Sequence, residues 1–220
     1  MKCMTCGSEM AFMTSDLYCC NECMLISSSL KPDSTIYLQD YMSKYKHYEN
    51  TDIGKNILKV RMDMVLGNVD KKDRKKILDF GCATGVFIDE CRQYFDKCIG
   101  FDINPYSKRF NYIENLFDDF SVCTFWDSLE HIKNPKKVLV GLDPKYVFIC
   151  TPSTDDIELE NILSWRHYRP REHIHLFNEH SLTKFLDECG YKIKDVNYEE
   201  SSVRRGGKDK NLITVCGVKK

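Results

Sequence analysis

The chain is 220 residues long and carries 32 Lys and Arg against 33 Asp and Glu, a formal net charge of -1 at pH 7. Its 42% apolar and 30% charged residues exclude a disordered chain, and the near-zero charge excludes a global basic field that would draw it onto nucleic acid or an anionic membrane. No apolar run is long enough to span a bilayer, and Met1-Lys2-Cys3-Met4 lacks the core of an export signal, so a soluble, cytoplasmic protein is expected: one full-sized domain with a small appendage.

Residues 1–30 hold five of the twelve cysteines: Cys3, Cys6, Cys19, Cys20 and Cys23. Cys3-x-x-Cys6 and Cys20-x-x-Cys23 can fold back as two knuckles and close a tetrahedral sulfur cage, a zinc ribbon. Cys19 competes with Cys20, and the recurring two-residue gap selects Cys20. Gly7 suits the tight turn after the first pair. A closed four-thiolate cage favours zinc over iron and leaves no room for water, so the ion is expected to be structural. The other seven cysteines are scattered singly, mostly beside apolar residues. In a chain without an export signal they read as reduced, buried small hydrophobes and not as a disulfide framework.

Residues 31–76 read as a linker and an N-terminal helical segment. Ile53, Ile57, Val60 and Met64 recur at helical spacing over Ile53–Leu66, and Gly67 supplies a stop. Lys71–Lys76 reads as a solvated connection. Across residues 77–220, strands are expected at Ile77–Phe80, Lys97–Phe101, Ser121–Phe125, Tyr146–Cys150, Tyr191–Val196 and Leu212–Val218. Helices are expected at Val86–Phe95, Pro135–Gly141 and Ser181–Cys189, the last ended by Gly190. Such alternation implies an α/β fold, a mostly parallel sheet with helices on both faces. The stretch before the last strand, with Arg204-Arg205-Gly206-Gly207, lacks a helical pattern. The final two strands are therefore expected to pair as an antiparallel hairpin.

The run Ile77-Leu-Asp-Phe-Gly81-Cys-Ala-Thr-Gly85-Val-Phe-Ile88 takes a buried strand through a Gly-rich turn into a helix. Glycine lets backbone pass close to a ligand, and a helix start presents unpaired N–H groups. Asp102 ends the next strand 17 residues past Gly85, where a carboxylate can accept both hydroxyls of a ribose.

Together with Phe125-Trp-Asp-Ser-Leu-Glu-His131, Asn134-Pro135, the strand Val147–Pro152 and Glu172-His-Ile-His-Leu-Phe177, these residues resemble class I S-adenosylmethionine-dependent methyltransferases. More narrowly they are similar to the subgroup with a Glu-His pair after the fourth strand; Ser181-Leu182, Phe185-Leu186 and Gly190-Tyr191 continue its downstream segment. The resemblance covers about residues 40–218 of this sequence. It implies a Rossmann-like, doubly wound sheet of seven strands ending in an antiparallel hairpin. Some relatives, including sugar methyltransferases and a ribosomal RNA methyltransferase, also carry a four-cysteine ribbon. By resemblance, Gly81, Cys82 and Gly85 would wrap the methionine part of the cofactor, with Asp79 supporting the loop. Asp102, with Ile103 beside it, would hold the ribose, Trp126 and Asp127 would line the sulfonium side, and Asn104 and Glu114 would face the adenine. Two departures stand out. Ala83 replaces a loop glycine, and only Pro105–Leu116 is available for a helix, a third strand and an acidic turn.

Methyl transfer from a sulfonium is an in-line displacement that needs alignment and, for a hydroxyl or acidic carbon, a base. His131 and His173 are the candidates; His175 reads as a buried hydrogen-bonded partner. In the connection over the strands' carboxyl ends, Arg166, Tyr168, Arg169 and Arg171 could grip a phosphate and stack on a base or sugar. The expected acceptor is therefore a small, phosphorylated molecule such as a nucleotide sugar, methylated at O or C. The alternative partner is nucleic acid, tracked by the ribbon and by Arg204, Arg205, Lys208, Lys210, Lys219 and Lys220. A third reading is a non-catalytic, cofactor-binding scaffold.

Overall fold

A computed structural model describes residues 1–37, 43, 46–104, 119–205 and 210–220 of the chain. Near the N-terminus, β1 (Met10–Thr14), β2 (Leu17–Cys20) and β3 (Ile26–Ser28) pair antiparallel in sequence order. Helix α1 (Asp52–Asn68) starts at Thr51, whose hydroxyl accepts from Gly54 N at 3.1 Å and so satisfies an otherwise unpaired first-turn amide. There follow β4 (Lys76–Phe80), α2 (Val86–Cys91), β5 (Lys97–Phe101), β6 (Val122–Trp126), α3 (Pro135–Leu142) and β7 (Tyr146–Pro152). The chain closes with β8 (His175–Leu176), α4 (Glu179–Glu188), β9 (Tyr191–Asn197), α5 (Glu199–Arg205) and β10 (Leu212–Lys219).

The main sheet has the order β5-β4-β6-β7-β10-β9. The first four strands are parallel, and β10 runs antiparallel to both β7 and β9. The expected α/β sheet and its terminal hairpin are both present. Side chains alternate strictly between the faces. Ile77, Val122, Phe148 and Cys150 pack with Met62, Val65, Phe87 and Ile88 of α1 and α2. Leu78, Cys123, Phe125, Val147 and Ile149 pack with Leu139 of α3 and Leu182, Phe185 and Leu186 of α4. Burial on both faces is what makes these strands read as continuous apolar runs.

Two corrections follow. The expected non-helical stretch before the last strand contains α5, fixed by tertiary charge pairing that no apolar periodicity announces. Helix α2 ends at Cys91, earlier than the expected Phe95, because Arg92–Tyr94 tighten into turns. Six strands of the main sheet lie among the described residues; the expected third strand and Glu114 fall within residues 105–118, outside them. Among the described residues no helix is long and apolar enough to cross a membrane.

The N-terminal sheet gains a fourth strand from far along the chain. β8 pairs antiparallel with β3 through Ile26–Leu176 and Ser27–His175, and Ser28 N donates to Ile174 O at 2.8 Å. Leu17, Ile26, Ile162, Trp165 and Leu176 fill the space beneath it.

Candidate active site

The carboxyl ends of β4, β5 and β6 open onto a cavity of about 610 Å³. Its floor is the turn after β4, where Gly81 (φ +88°), Ala83 (φ +46°) and Gly85 (φ +83°) all take left-handed backbone. Gly81 N and Cys82 N both donate to Phe101 O, at 2.7 and 3.0 Å, which locks the turn against β5. Asp102 clasps it from the side: one carboxylate oxygen accepts from Ala83 N at 2.8 Å and the other from Asn104 N at 2.8 Å. A carboxylate has about four acceptor sites, so two remain for a ligand. Gly81, Cys82, Asp102, Ile103 and Asn104 line the cavity, whereas Gly85 lies behind the turn as the first residue before α2.

Asp79, also on the wall, is buried beneath the turn and accepts from the Thr124 hydroxyl at 2.7 Å. Burial pushes its carboxyl up to about 7. A carboxyl raised in the folded state favours folding while it stays protonated, and that contribution is lost as pH rises from the ordinary carboxylate range through about 7. Asp79→Asn should therefore gain stability over wild type across that interval, by at most on the order of 4 kcal/mol, and level off above it. Urea midpoints from pH 4 to 8 that run parallel for the two proteins would refute this.

The opposite wall is charged but neutralised. Arg61 of α1 binds Glu200 of α5 in a fork (2.6 and 3.0 Å) and reaches Asp127 at 2.7 Å, while Arg204 contacts the same two carboxylates. These pairings hold Asp127 and Glu200 below their usual ranges against burial, which acts the other way. Asp127 thus reaches the wall as the anchor of two guanidiniums. Arg204, expected to track phosphates in the nucleic-acid alternative, is one of them. Trp126 is buried, edge-on to Phe87, with Arg61 5.1 Å from its ring centre. Tyr37, Tyr48 and Glu49 close the remaining side, the Thr84 hydroxyl donating to Glu49.

His131 lines the cavity, and His173 stands edge-on behind it with ring centres 4.7 Å apart. His131 Nδ1 lies 2.9 Å from Glu172 O, and His173 Nδ1 lies 2.7 Å from His167 O. A carbonyl only accepts, which favours the proton on each Nδ1 and the lone pair on each Nε2; His131 Nδ1 also meets the Tyr37 hydroxyl at 2.8 Å, which accepts from the same proton in that tautomer. Burial lowers both rings, His173 to about 3, so both are neutral near pH 7. His175 bonds Ser27 Oγ at 2.9 Å and is structural.

The four residues expected to grip phosphate do not line the cavity. Arg166 Nε donates to His167 at 2.8 Å, the Tyr168 hydroxyl donates to Asp16, Arg169 pairs with Glu172 at 3.1 Å, and Arg171 is exposed. Lys219 and Lys220 pair with Asp143 and Asp187, and Lys208 and the Arg205 side chain lie outside the described residues.

Cys3, Cys6, Cys20 and Cys23 converge, with sulfur separations of 3.4 Å for Cys3–Cys23 and Cys6–Cys20 and 3.8 Å for Cys6–Cys23. Four thiolates at the usual zinc–sulfur length of about 2.3 Å sit about 3.8 Å apart, so the donor set fits a tetrahedral ion. Cys19 points away, to Cys20 O.

Sequence reasoning missed Arg61, Glu49, Tyr37, Ser128 and Glu200. Only Glu200 and Arg204 left a signal, the i,i+4 spacing of opposite charges.

Residues 45–196 match a protein family described as "Methyltransferase domain". Among solved structures, a SAM dependent methyltransferase from Archaeoglobus fulgidus shares 16% identity, with 81% of this chain and 99% of that one covered and a TM-score of 0.58. Magnesium protoporphyrin IX methyltransferase from Synechocystis PCC 6803, solved with bound SAH, shares 13% identity over 84% of this chain and 97% of its own, with a TM-score of 0.58. A possible histamine N-methyltransferase from Thermotoga maritima gives 13% identity, 84% and 99% coverage, and a TM-score of 0.58. No curated protein matches the chain.

Proposed function

Because this chain belongs to the methyltransferase-domain family, we propose that its cavity takes S-adenosylmethionine and transfers the methyl group to a small acceptor entering past His131. The observation that carries this reading is the left-handed Gly81–Gly85 turn clasped by Asp102, with two acceptor sites of that carboxylate left for ribose hydroxyls. Bound S-adenosylmethionine supplies a methyl group already activated on a sulfonium. The chain's own residues then align and exclude water: Gly81 and Cys82 give backbone approach, and Asp79 and the Asp127 pair set the charge around the reacting end. His131, neutral and with its Nε2 lone pair available, can take the proton of an acceptor hydroxyl or acidic carbon. The four cysteines are read as a structural zinc site.

A small acceptor is favoured over nucleic acid because Arg204 is drawn into the network with Asp127 and Glu200, while Lys219 and Lys220 already have Asp143 and Asp187 as surface partners. A phosphate on that acceptor has no support from Arg166, Arg169 and Arg171 at the cavity itself.

Calorimetric titration with S-adenosylmethionine, its demethylated product and NAD tests the reading. Both sulfur ligands should bind, and Asp102→Ala should weaken them by roughly 100-fold through the loss of two charged hydrogen bonds. Binding of NAD alone, or of nothing, would overturn it and point to a scaffold.

A further inference from the structure

Behind the cavity wall, Glu130 is 1% exposed and its carboxylate oxygens make no hydrogen bond of ordinary geometry, although the equally buried Thr151 hydroxyl lies close enough to favour the charged carboxylate. An orphaned buried carboxyl is costly and calls for an explanation such as a missing ion. Its Oε1 lies 3.9 Å from His131 Nε2, and one donor atom from each of Glu130, His131 and His173 falls within 4.8 Å of the others. We propose that Glu130, His131 and His173 form a binding site for a divalent first-row transition-metal ion, held by one carboxylate oxygen and two imidazole Nε2 atoms, with its open positions toward the cavity.

The hydrogen bonds behind the rings support this independently. A metal-binding imidazole commonly donates its other N–H to a carbonyl or carboxylate, which fixes the tautomer and aims the lone pair. Both rings do so here, His131 to Glu172 O and His173 to His167 O. Burial keeps both rings neutral, so their lone pairs are not lost to protons.

A nearby cluster serves as contrast. Asp127, Cys150 and Glu200 also converge, but Arg61 and Arg204 already fill that role between the carboxylates. No such guanidinium pairs with Glu130 among the described residues. Two imidazoles and one carboxylate suit manganese, iron, cobalt or zinc, in distinction to the all-thiolate site of the N-terminal sheet. With the ion bound, His131 Nε2 would be a ligand and no longer a base; because His131 borders the cavity, the ion would instead polarise an acceptor oxygen on the wall where methyl transfer is read to occur. That role rests on the methyl-transfer reading; the site itself does not.

The test uses the full chain carrying one zinc per molecule, titrated with Co²⁺ and separately with Mn²⁺. One further ion should bind per chain, giving a cobalt spectrum without thiolate charge-transfer bands and a manganese spin-echo spectrum with imidazole nitrogen coupling. Glu130→Gln and His173→Ala should weaken it by roughly 100-fold or more. The wild-type spectra need no variant, so a misfolded variant leaves the test intact. Binding only at the thiolates, a manganese spectrum without nitrogen coupling, or equal affinity in a folded variant would overturn the proposal. S-adenosylmethionine titrated into the same samples separates the two ideas: metal uptake without cofactor binding would sink the methyl-transfer reading and leave the site standing.

Discussion

Gly81→Ala is expected to destabilise the protein by about 2–4 kcal/mol and to abolish cofactor binding. Two separate strains add at this position. The backbone is left-handed at φ +88°, and an added Cβ would sit 2.6 Å from Ser128 Cβ and 3.2 Å from its Oγ. Ser128 cannot swing aside freely, since its hydroxyl donates to Phe80 O at 2.6 Å. Yielding by the backbone would instead break Gly81 N to Phe101 O, the bond that holds the turn on β5. Gly67→Ala is the control: nothing lies within 4 Å of its added Cβ, and within α1 it should gain about 0.5–1 kcal/mol. Adding Ser128→Gly to Gly81→Ala should recover part of the loss, because it relieves the collision and leaves the dihedral strain. Urea denaturation of the four proteins decides the matter; a Gly81→Ala protein as stable as Gly67→Ala would contradict the argument.

Glu200→Gln should cost about 3–5 kcal/mol, because it leaves two guanidiniums, only 16% and 21% exposed, sharing the single carboxylate of Asp127. Glu200 itself is 1% exposed, so bulk salt screens the loss little, and the penalty should persist at high ionic strength. A double-mutant cycle with Arg204→Met should return a coupling above about 1 kcal/mol, since the two residues share one network. A single-variant loss below about 1 kcal/mol, or one that vanishes in salt, would show that the cluster is effectively solvated. Helix α5 should loosen first, because its position against α1 depends on Glu200 and Arg204 reaching Arg61 and Asp127.

Much of the scaffold was legible because burial writes itself into the sequence. β4, β6 and β7 are buried on both faces, and their apolar runs marked them to within a residue or two. The Gly-rich turn and Asp102 were legible because positive φ and a strand-end acid each restrict residue type. Helix α5 was not legible, since what fixes it is an ion network with Arg61, 139 residues away from Glu200 in sequence. The same holds for the arginine-rich connection: Arg166, Tyr168 and Arg169 looked like a ligand grip, but local partners claim them. The convergence of Glu130 and His173 likewise depends on a carboxyl-end connection folding back, which spacing alone does not encode.

The pairing of β3 with β8 bears on how the chain is made. The cysteine-bearing segment leaves the ribosome well before residues 175 and 176, and its sheet stays one strand short until they have been synthesised. Until then β3 presents an unpaired edge, the kind of surface that invites wrong pairing. Ile174 completes the closure in both directions at once, accepting from Ser28 N and donating to Glu130 O. The residue that seals the earlier-made sheet therefore also seats the loop carrying Glu130 and His131, so both closures depend on the same late-made strand.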